Sequence, residues 1–298
     1  MSSFFDPAIP RKSGHVDRAL DSSAAGIPIP SVVEISESGT CNRSCKFCPR
    51  SNPDFPDVKE FIPPALLDKL TRQLAEIGFK GIFLFSGFVE PLLDKAIFDH
   101  VATVRRNLPE AKPEMVTNGD VLTEDRLKRL FDAGLSTILI SVYDSAEDAE
   151  RFEAMCRGVG LSDDQFVIRH RYLPPTSDFG ITLSNRAGLM QDAEYAIDDT
   201  SEPLAHPCHY PLYTFFMDYL GDALLCPHDW GKKLIIGNMH EQNFQDIWTG
   251  PKANMARRRL LSSDRGFPPC NVCDVKGTLM GQKHAEAWAA YYGLSDKE

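Results

Sequence analysis

The stretch Cys41-Asn42-Arg43-Ser44-Cys45-Lys46-Phe47-Cys48 spaces three cysteines as C-x3-C-x2-C. Three thiolates can hold three corners of a 4Fe-4S cluster, whereas a cluster ligated by protein alone uses four. The fourth iron is then open to a ligand that is not protein. The alternative is a zinc site that uses the same thiolates and takes its fourth ligand from elsewhere in the chain.

Strand and helix patterns alternate around this stretch. Strands are predicted at residues 31–36, 82–86, 114–117, 137–142 and 166–171, and helices begin at Pro64, near Ile97, after Thr123 and after Ser145. Strands separated by helices imply right-handed crossovers and a parallel sheet. The cysteine stretch follows the first strand, so it lies at the carboxyl edge of the sheet, where α/β folds bind ligands. The periodicity does not distinguish a flat, doubly wound sheet from part of a barrel.

The pattern changes after about residue 189. Residues 213–219 and 223–226 flank Gly221-Asp222, which predicts a β-hairpin, and short helices are predicted at 241–248, from Pro251, and at about 283–292. This part carries four further cysteines, namely Cys208, Cys226, Cys270 and Cys273. A hairpin followed by a C-x2-C pair can bring four thiolates together, which is enough for a second 4Fe-4S cluster or for a zinc site.

The composition is that of an ordinary soluble globular protein, with 43% hydrophobic and 25% charged residues among 298. Residues 1–30 lack the apolar centre of a signal peptide and are predicted to form a partly ordered arm. Eight cysteines without such a signal favour a reducing cytoplasm and metal binding over disulfides. The formal charge of -10 argues against a nucleic-acid surface. No apolar run approaches the roughly 18 residues of a membrane span.

The cysteine spacing, with the aromatic Phe47 before the last cysteine, resembles the signature of the radical S-adenosylmethionine (SAM) enzymes. The resemblance implies an α/β fold that is a partial (β/α)6 barrel of parallel strands. It also implies that the open iron binds the amino and carboxylate groups of SAM. An electron from the cluster then cleaves SAM to a 5'-deoxyadenosyl radical. A flavodoxin or ferredoxin is implied as the electron donor.

Further residues at predicted strand ends resemble the SAM-binding positions of that family. Ser86-Gly87-Phe88-Val89-Glu90-Pro91 is similar to its Gly-Gly-Glu-Pro element, although Val89 stands where a second glycine is common. The SAM contacts implied by the resemblance are Phe47, Gly87, Glu90, Asn118 and Ser141. Taken singly, each has an ordinary structural explanation, such as a glycine in a turn or a serine that closes a strand.

The second cysteine group resembles the twitch domain, a shortened relative of the SPASM domain that binds one auxiliary 4Fe-4S cluster. Flanking segments such as Asn185-Arg186-Ala187-Gly188 agree with it. The expected organisation is an arm at 1–30, a radical SAM core at 31–200, a hairpin-plus-helix auxiliary-cluster domain at 201–275 and a C-terminal helix at 276–298. By this resemblance the auxiliary cluster exchanges an electron with a substrate radical.

The candidates for direct work on the substrate are Arg169, Arg171 and Cys156. The two arginines share one face of the fifth strand by its period of two, and Ile168 faces outward. An ion pair at the barrel rim is the alternative role for them. Cys156, left over from both cysteine groups, is either a core residue or a thiol that returns a hydrogen to the substrate.

Two other groups are assigned structural roles. His209 and His228 adjoin predicted cluster cysteines and could be bases, but a supporting role is favoured. The run Arg257-Arg258-Arg259 is predicted to form a solvated helix face.

These features lead to one favoured function and two alternatives. The favoured function is oxidation or epimerisation of a small polyol, sugar or aminocyclitol, by resemblance to aminocyclitol dehydrogenases such as that of butirosin biosynthesis and to radical epimerases of sugar antibiotics. The first alternative is a maturase that modifies a ribosomally made peptide. The second is a non-enzymatic iron-sulfur or zinc protein.

Overall fold

The computed structural model describes residues 6, 8–17, 20–173, 184–190 and 202–294. The strands are β1 (Val32–Ser36), β2 (Ser38–Gly39), β3 (Val58–Phe61), β4 (Ile82–Phe85), β5 (Lys112–Thr117), β6 (Thr137–Val142), β7 (Phe166–His170), β8 (Thr214–Asp218), β9 (Asp222–Leu224) and β10 (Ile235–Asn238). The helices are α1 (Ala8–Val16), α2 (Pro64–Glu76), α3 (Ile97–Asn107), α4 (Glu124–Asp132), α5 (Ala146–Gly158), α6 (Tyr210–Tyr213), α7 (Phe244–Trp248), α8 (Pro251–Leu261) and α9 (Gln282–Tyr291).

The described strands form one large sheet in the order β10-β9-β8-β1-β4-β5-β6-β7. From β8 to β7 every neighbouring pair is parallel, which confirms the predicted α/β fold. The sheet keeps two edges, β10 and β7, so it is not a closed barrel within the part of the chain that the structure describes. The carboxyl ends of the six parallel strands lie side by side at one end of the sheet.

The predicted hairpin is part of this same sheet. Its first strand, β8, pairs in parallel with β1 from Val32↔Thr214 to Ser36↔Asp218, and β9 then pairs antiparallel to β8. All five residues of β8 are buried, so the strand needs cover on both faces, which a hairpin standing alone would not provide. The auxiliary region thus continues the sheet of the core.

Helices α2 to α5 cover the outer face of the sheet, as their hydrophobic periodicity predicts. Leu67, Leu70 and Leu74 of α2 are fully buried in the same hydrophobic cluster as Phe83 of the sheet. The predicted caps are present: Thr123 Oγ1 accepts a hydrogen bond from Arg126 N at 3.2 Å. Such local signals determine where each helix begins and which of its faces packs on the sheet.

The N-terminal arm contains a helix that packs on the sheet. Val16 of α1 is fully buried and clusters with Val32, Ile82 and Tyr213. Asp17 Oδ1 accepts a hydrogen bond from Gly281 N at 3.1 Å, which ties the arm to the start of α9. The described part of the arm therefore packs against the sheet as an ordered element.

The prediction that the arginine run of α8 forms a solvated face is wrong for Arg257. Its guanidinium is 1% exposed and lies 3.8 Å from the ring centroid of Trp248 and 4.1 Å from that of Trp288. It also donates a hydrogen bond to Pro211 O at 2.9 Å. Two aromatic faces and backbone carbonyls replace water around this cation, so burial is tolerated.

Candidate active site

The cysteine stretch lies at the carboxyl edge of the parallel strands, where Cys41, Cys45 and Cys48 line a cavity of about 400 Å³. Arg43 anchors the loop, because it bonds both Asp120 after β5 and Asp144 after β6, at 2.5 and 2.6 Å. Burial, and then the neighbouring thiols, raise the pKa of Cys45 to about 12. A thiol in this setting ionises when it binds metal, because metal ligands must be deprotonated.

Glu90 is a carboxylate held at the cavity wall by three donors. Its Oε1 accepts from Thr117 Oγ1 at 2.6 Å and from Leu92 N at 3.0 Å, and its Oε2 accepts from Asn118 N at 2.7 Å. It is 1% exposed, and burial raises its pKa to about 7, against the lowering effect of these hydrogen bonds. The carboxylate is therefore oriented and close to changing its charge at neutral pH.

Gly87 is required by its backbone conformation and by its neighbours. Its φ is 88°, and a Cβ there would approach Ser36 Cβ to 2.9 Å and the Phe216 ring to 3.2 Å. Only glycine adopts this conformation without strain. The backbone thus follows the cavity wall closely between β4 and Glu90.

The other predicted SAM contacts also line this cavity. Asn118 Nδ2 donates to Asn42 Oδ1 at 2.7 Å, beside the cysteine loop, and Ser141 at the end of β6 is 2% exposed. Phe47 stacks on Tyr143 with ring centroids 5.7 Å apart. Tyr143 was not predicted, although it lies two residues after Ser141, so the strand period could have indicated it.

Arg169 and Arg171 both line the cavity, and both pair with Asp6 of the N-terminal arm. Arg169 Nη2 lies 2.6 Å from Asp6 Oδ2, and Arg171 Nη2 is ion-paired with the same oxygen. Ile168 packs against the main core, as predicted. Burial lowers the pKa of Arg171 to about 10, with the charge of Arg169 adding to the effect. Sequence reasoning missed Asp6, because no local pattern marked it.

The four cysteines of the second group lie close together. Burial raises the pKa of Cys226 well above its usual value, and the neighbouring thiols of Cys270, Cys273 and Cys208 raise it further. A side chain at Gly277 would clash with the sulfur of Cys208, so the chain passes closely over this site. The proximity of these thiols agrees with the predicted iron-sulfur cluster, whose ligands remain a prediction. Within the described ranges, no three His, Cys, Asp or Glu side chains are placed to share a single metal ion.

Two histidines near these cysteines differ in their surroundings. His209 is buried, and its Nδ1 is 3.2 Å from Met280 O, which agrees with a structural role. His228 lines the cavity instead, and burial lowers its pKa to about 3, with the charges of Arg186 and Lys12 adding to the effect. Lys12 is a further cavity residue that sequence reasoning did not single out, and Arg186 was noted there only as part of a segment that resembles the twitch domain.

Cys156 is not brought to the cavity. It is fully buried in α5 and belongs to the hydrophobic core on the helix side of the sheet. The cysteines among the described cavity-lining residues are Cys41, Cys45 and Cys48.

Two family models match the chain. The radical SAM superfamily model matches residues 35–169, which include the first three cysteines. The SPASM model, an iron-sulfur cluster-binding domain, matches residues 208–274, which include the other four. The chain therefore has the domains that bind SAM, the first 4Fe-4S cluster and an auxiliary iron-sulfur cluster.

Similar proteins agree with these matches. The SAM-dependent 2-deoxy-scyllo-inosamine dehydrogenase of Niallia circulans is 30% identical over 245 residues, which are 82% of this chain and 92% of that protein. The GTP 3',8-cyclase of Aquifex aeolicus is 29% identical over 145 residues, which are 48% of this chain and 44% of that protein.

Solved structures show the same fold. BtrN in complex with AdoMet and 2-DOIA has a TM-score of 0.71 and 27% identity, over 86% of this chain and 98% of that one. AdoMet-bound anSMEcpe, at 12% identity and a TM-score of 0.53, shares the fold over 89% of this chain and 93% of that one. The chain belongs to the radical SAM superfamily and is a radical SAM oxidoreductase with a SPASM-type iron-sulfur domain.

Proposed function

We propose that this chain oxidises an alcohol carbon of a small polyol, sugar or aminocyclitol to a ketone. The observation that carries the proposal is one cavity that the first cysteine group lines and that the residues directly after Cys226 also line. Cys41, Cys45 and Cys48 line it on one side, and Pro227 and His228, which directly follow Cys226, line it on another. The similarity to 2-deoxy-scyllo-inosamine dehydrogenase over 92% of that protein supports oxidation of an aminocyclitol or a related alcohol.

The residues of the chain hold the reactants and exclude water. When bound, SAM and the first cluster supply a hydrogen-abstracting radical, and the auxiliary cluster supplies an electron acceptor. Glu90, Asn118 and Ser141 line the cavity together with the cysteine loop, which supports their proposed contacts with SAM. Apolar side chains of the central strands, Val32, Ile82, Leu84, Val116 and Leu139, line the inner wall. Such a wall limits competing reactions with water.

Arg169 and Arg171 are the residues proposed to act on the substrate hydroxyl. Their guanidinium groups line the cavity and donate to Asp6, and each guanidinium carries several N–H donors. Donors of this kind bind a hydroxyl oxygen and stabilise negative charge that develops on it. Asp6 keeps both cations in place within the cavity.

The position of Cys156 favours oxidation over epimerisation. Epimerisation requires a thiol that returns a hydrogen atom to the substrate, and Cys156 is fully buried behind the sheet. The cysteines of the described cavity wall are those expected to hold the first cluster.

One anaerobic assay tests the proposal. Reconstituted enzyme is mixed with dithionite, SAM and 2-deoxy-scyllo-inosamine, and 5'-deoxyadenosine, methionine and ketone are measured. We expect SAM cleavage, with ketone formed in proportion to 5'-deoxyadenosine when the alcohol fits the cavity. Zinc in place of iron, with no SAM cleavage, would refute the proposal.

We also infer that the enzyme works in a reducing cytoplasm with a flavodoxin or a ferredoxin as its electron donor. Seven cysteines that must remain available as cluster ligands support this inference. Within the described part of the chain, every helix is too short or too polar to cross a bilayer.

A further inference from the structure

The cavity is lined by more cations than carboxylates. Besides Arg43 and Arg50, its cations are Arg11, Lys12, Arg169, Arg171 and Arg186. Besides Glu90, its carboxylates are Asp6, Glu34 and Glu114, and two of these contact the cations directly. The substrate must complement this balance, because charges inside a cavity are less screened than charges in water.

The three carboxylates are already engaged within the chain. Asp6 pairs with Arg169 and Arg171, and Glu114 pairs with Arg11 at 2.6 Å. Glu34 Oε1 accepts a hydrogen bond from Ser86 Oγ at 2.7 Å. Of the five cations, Lys12 and Arg186 have no ion pair within the described ranges.

Lys12 projects from α1 toward a pair of aromatic rings. Its Nζ lies 5.4 Å from the ring centroid of Tyr210 and 5.9 Å from that of Tyr213. A cation over an aromatic ring gains about 0.5–2 kcal/mol, which does not replace a counterion. Its ammonium thus lies beside two tyrosine rings at the cavity wall and can still bind an anion.

Arg186 approaches the same wall from the segment before the auxiliary domain. Its guanidinium lies 5.7 Å from the ring centroid of Trp230, and its buried Nε has no hydrogen-bond partner among the described residues. His228 links the aromatic partners of the two cations. Its ring meets that of Tyr210 edge-on, with centroids 5.0 Å apart, and its backbone carbonyl accepts a hydrogen bond from Trp230 N at 2.9 Å. Lys12, Tyr210, His228 and Arg186 therefore form one continuous part of the wall.

We propose that Lys12 and Arg186 form a subsite for an anionic group of the substrate, either a phosphate or a carboxylate. This inference rests on the proposed function and adds that the substrate is an acidic derivative of a polyol or sugar. Both residues lie outside the ranges that match the family models, residues 35–169 and 208–274.

Binding of simple anions tests the subsite. The reconstituted enzyme, saturated with SAM, is titrated with inorganic phosphate and separately with acetate at constant ionic strength, by calorimetry. We expect saturable binding of at least one anion, weakened at least about tenfold, or about 1.4 kcal/mol, in Lys12→Met and in Arg186→Met. The anion that binds more tightly identifies the phosphate or the carboxylate class.

Matched variants separate a charge effect from misfolding. Lys12→Arg and Arg186→Lys keep the charge and should retain anion binding. Lys80→Met removes an exposed lysine that pairs with Glu110 at 3.1 Å, and should bind anions as the wild type does. SAM binding by each variant confirms that it is folded.

Three outcomes would overturn the inference. Neither anion binds saturably to the wild type, or the Met variants bind as tightly as the wild type, or anions bind only when SAM is absent. The last outcome would assign Arg186 to the carboxylate of SAM. Formation of 5'-deoxyadenosine without substrate, measured in parallel, keeps the proposed function separate. Normal SAM cleavage without anion binding refutes the subsite alone, whereas loss of SAM cleavage refutes the function.

Discussion

Replacing Glu90 with glutamine should weaken SAM binding in a pH-dependent way. Glu90 accepts three hydrogen bonds through its two carboxylate oxygens, and a glutamine has only one oxygen to replace them. At least one buried donor then loses its acceptor, which costs about 1–3 kcal/mol of stability. Loss of a charged hydrogen bond to SAM costs about 1.5–3 kcal/mol, or about 10- to 150-fold in Kd.

The pH dependence follows from the pKa of Glu90, which burial raises to about 7. The ionised fraction of this carboxyl falls from about 0.9 at pH 8 to about 0.1 at pH 6. The advantage of wild type over Glu90→Gln in SAM affinity should therefore shrink about tenfold between these pH values. Protonation of SAM itself affects both proteins equally, so the ratio of their SAM affinities does not depend on it.

Equilibrium dialysis of labelled SAM against reconstituted protein at pH 6, 7 and 8 measures this ratio. Glu110→Gln removes a carboxylate whose side chain is 68% exposed, and serves as the control that leaves SAM binding unchanged. A ratio that stays constant from pH 6 to pH 8 would show that Glu90 does not contact SAM as a carboxylate. Tight SAM binding by Glu90→Gln would refute the assignment outright.

Three further predictions concern the auxiliary cysteines, the spare thiol and the buried arginine. Cys226→Ala should lower the iron content from about eight to about four atoms per chain. Chemical analysis measures the iron, and SAM cleavage, which depends on the other cluster, should remain. Cys156→Ala should leave product yield and stereochemistry unchanged, because this thiol lies in the core. Chromatography of the product tests this, and an altered product would support epimerisation with Cys156 as the hydrogen donor. Arg257→Met should lower the free energy of unfolding by about 3 kcal/mol, because the buried guanidinium loses its carbonyl and aromatic partners. Arg258→Met, which changes an exposed residue, should alter it by less than about 0.5 kcal/mol. Urea denaturation measures both values.

The predicted elements depend on short-range signals, and these were sufficient for most of the sheet. The leucine spacing of α2 and the Thr123 cap are local patterns, and the structure contains both. Arg257 shows the limit of such reasoning. Its burial depends on Trp248, which lies 9 residues earlier in the chain, and on Trp288, which lies 31 residues later. Nothing in the arginine run itself indicates that two rings enclose this side chain.

The residues of the candidate site also divide into those that local patterns predict and those that they do not. The SAM-contact candidates Gly87, Glu90 and Asn118 directly follow strands, so parallel pairing brings them together at one edge. Asp6 and Lys12 could not be predicted, because they belong to an arm that crosses the sheet far from its sequence neighbours. The same holds for β8, which has the pattern of a hairpin strand but pairs with β1, about 180 residues earlier.

By itself the sequence indicated the chemistry of this protein, since its two cysteine-containing segments match the radical SAM and SPASM models and its candidate site residues follow parallel strands. Only the tertiary structure decided which distant residues line the cavity. Asp6 reaches Arg169 and Arg171 because α1 packs across the sheet, and Cys156 is withdrawn behind it. Contacts between residues distant in sequence arise from packing of apolar surfaces over the whole chain, and no local pattern encodes them.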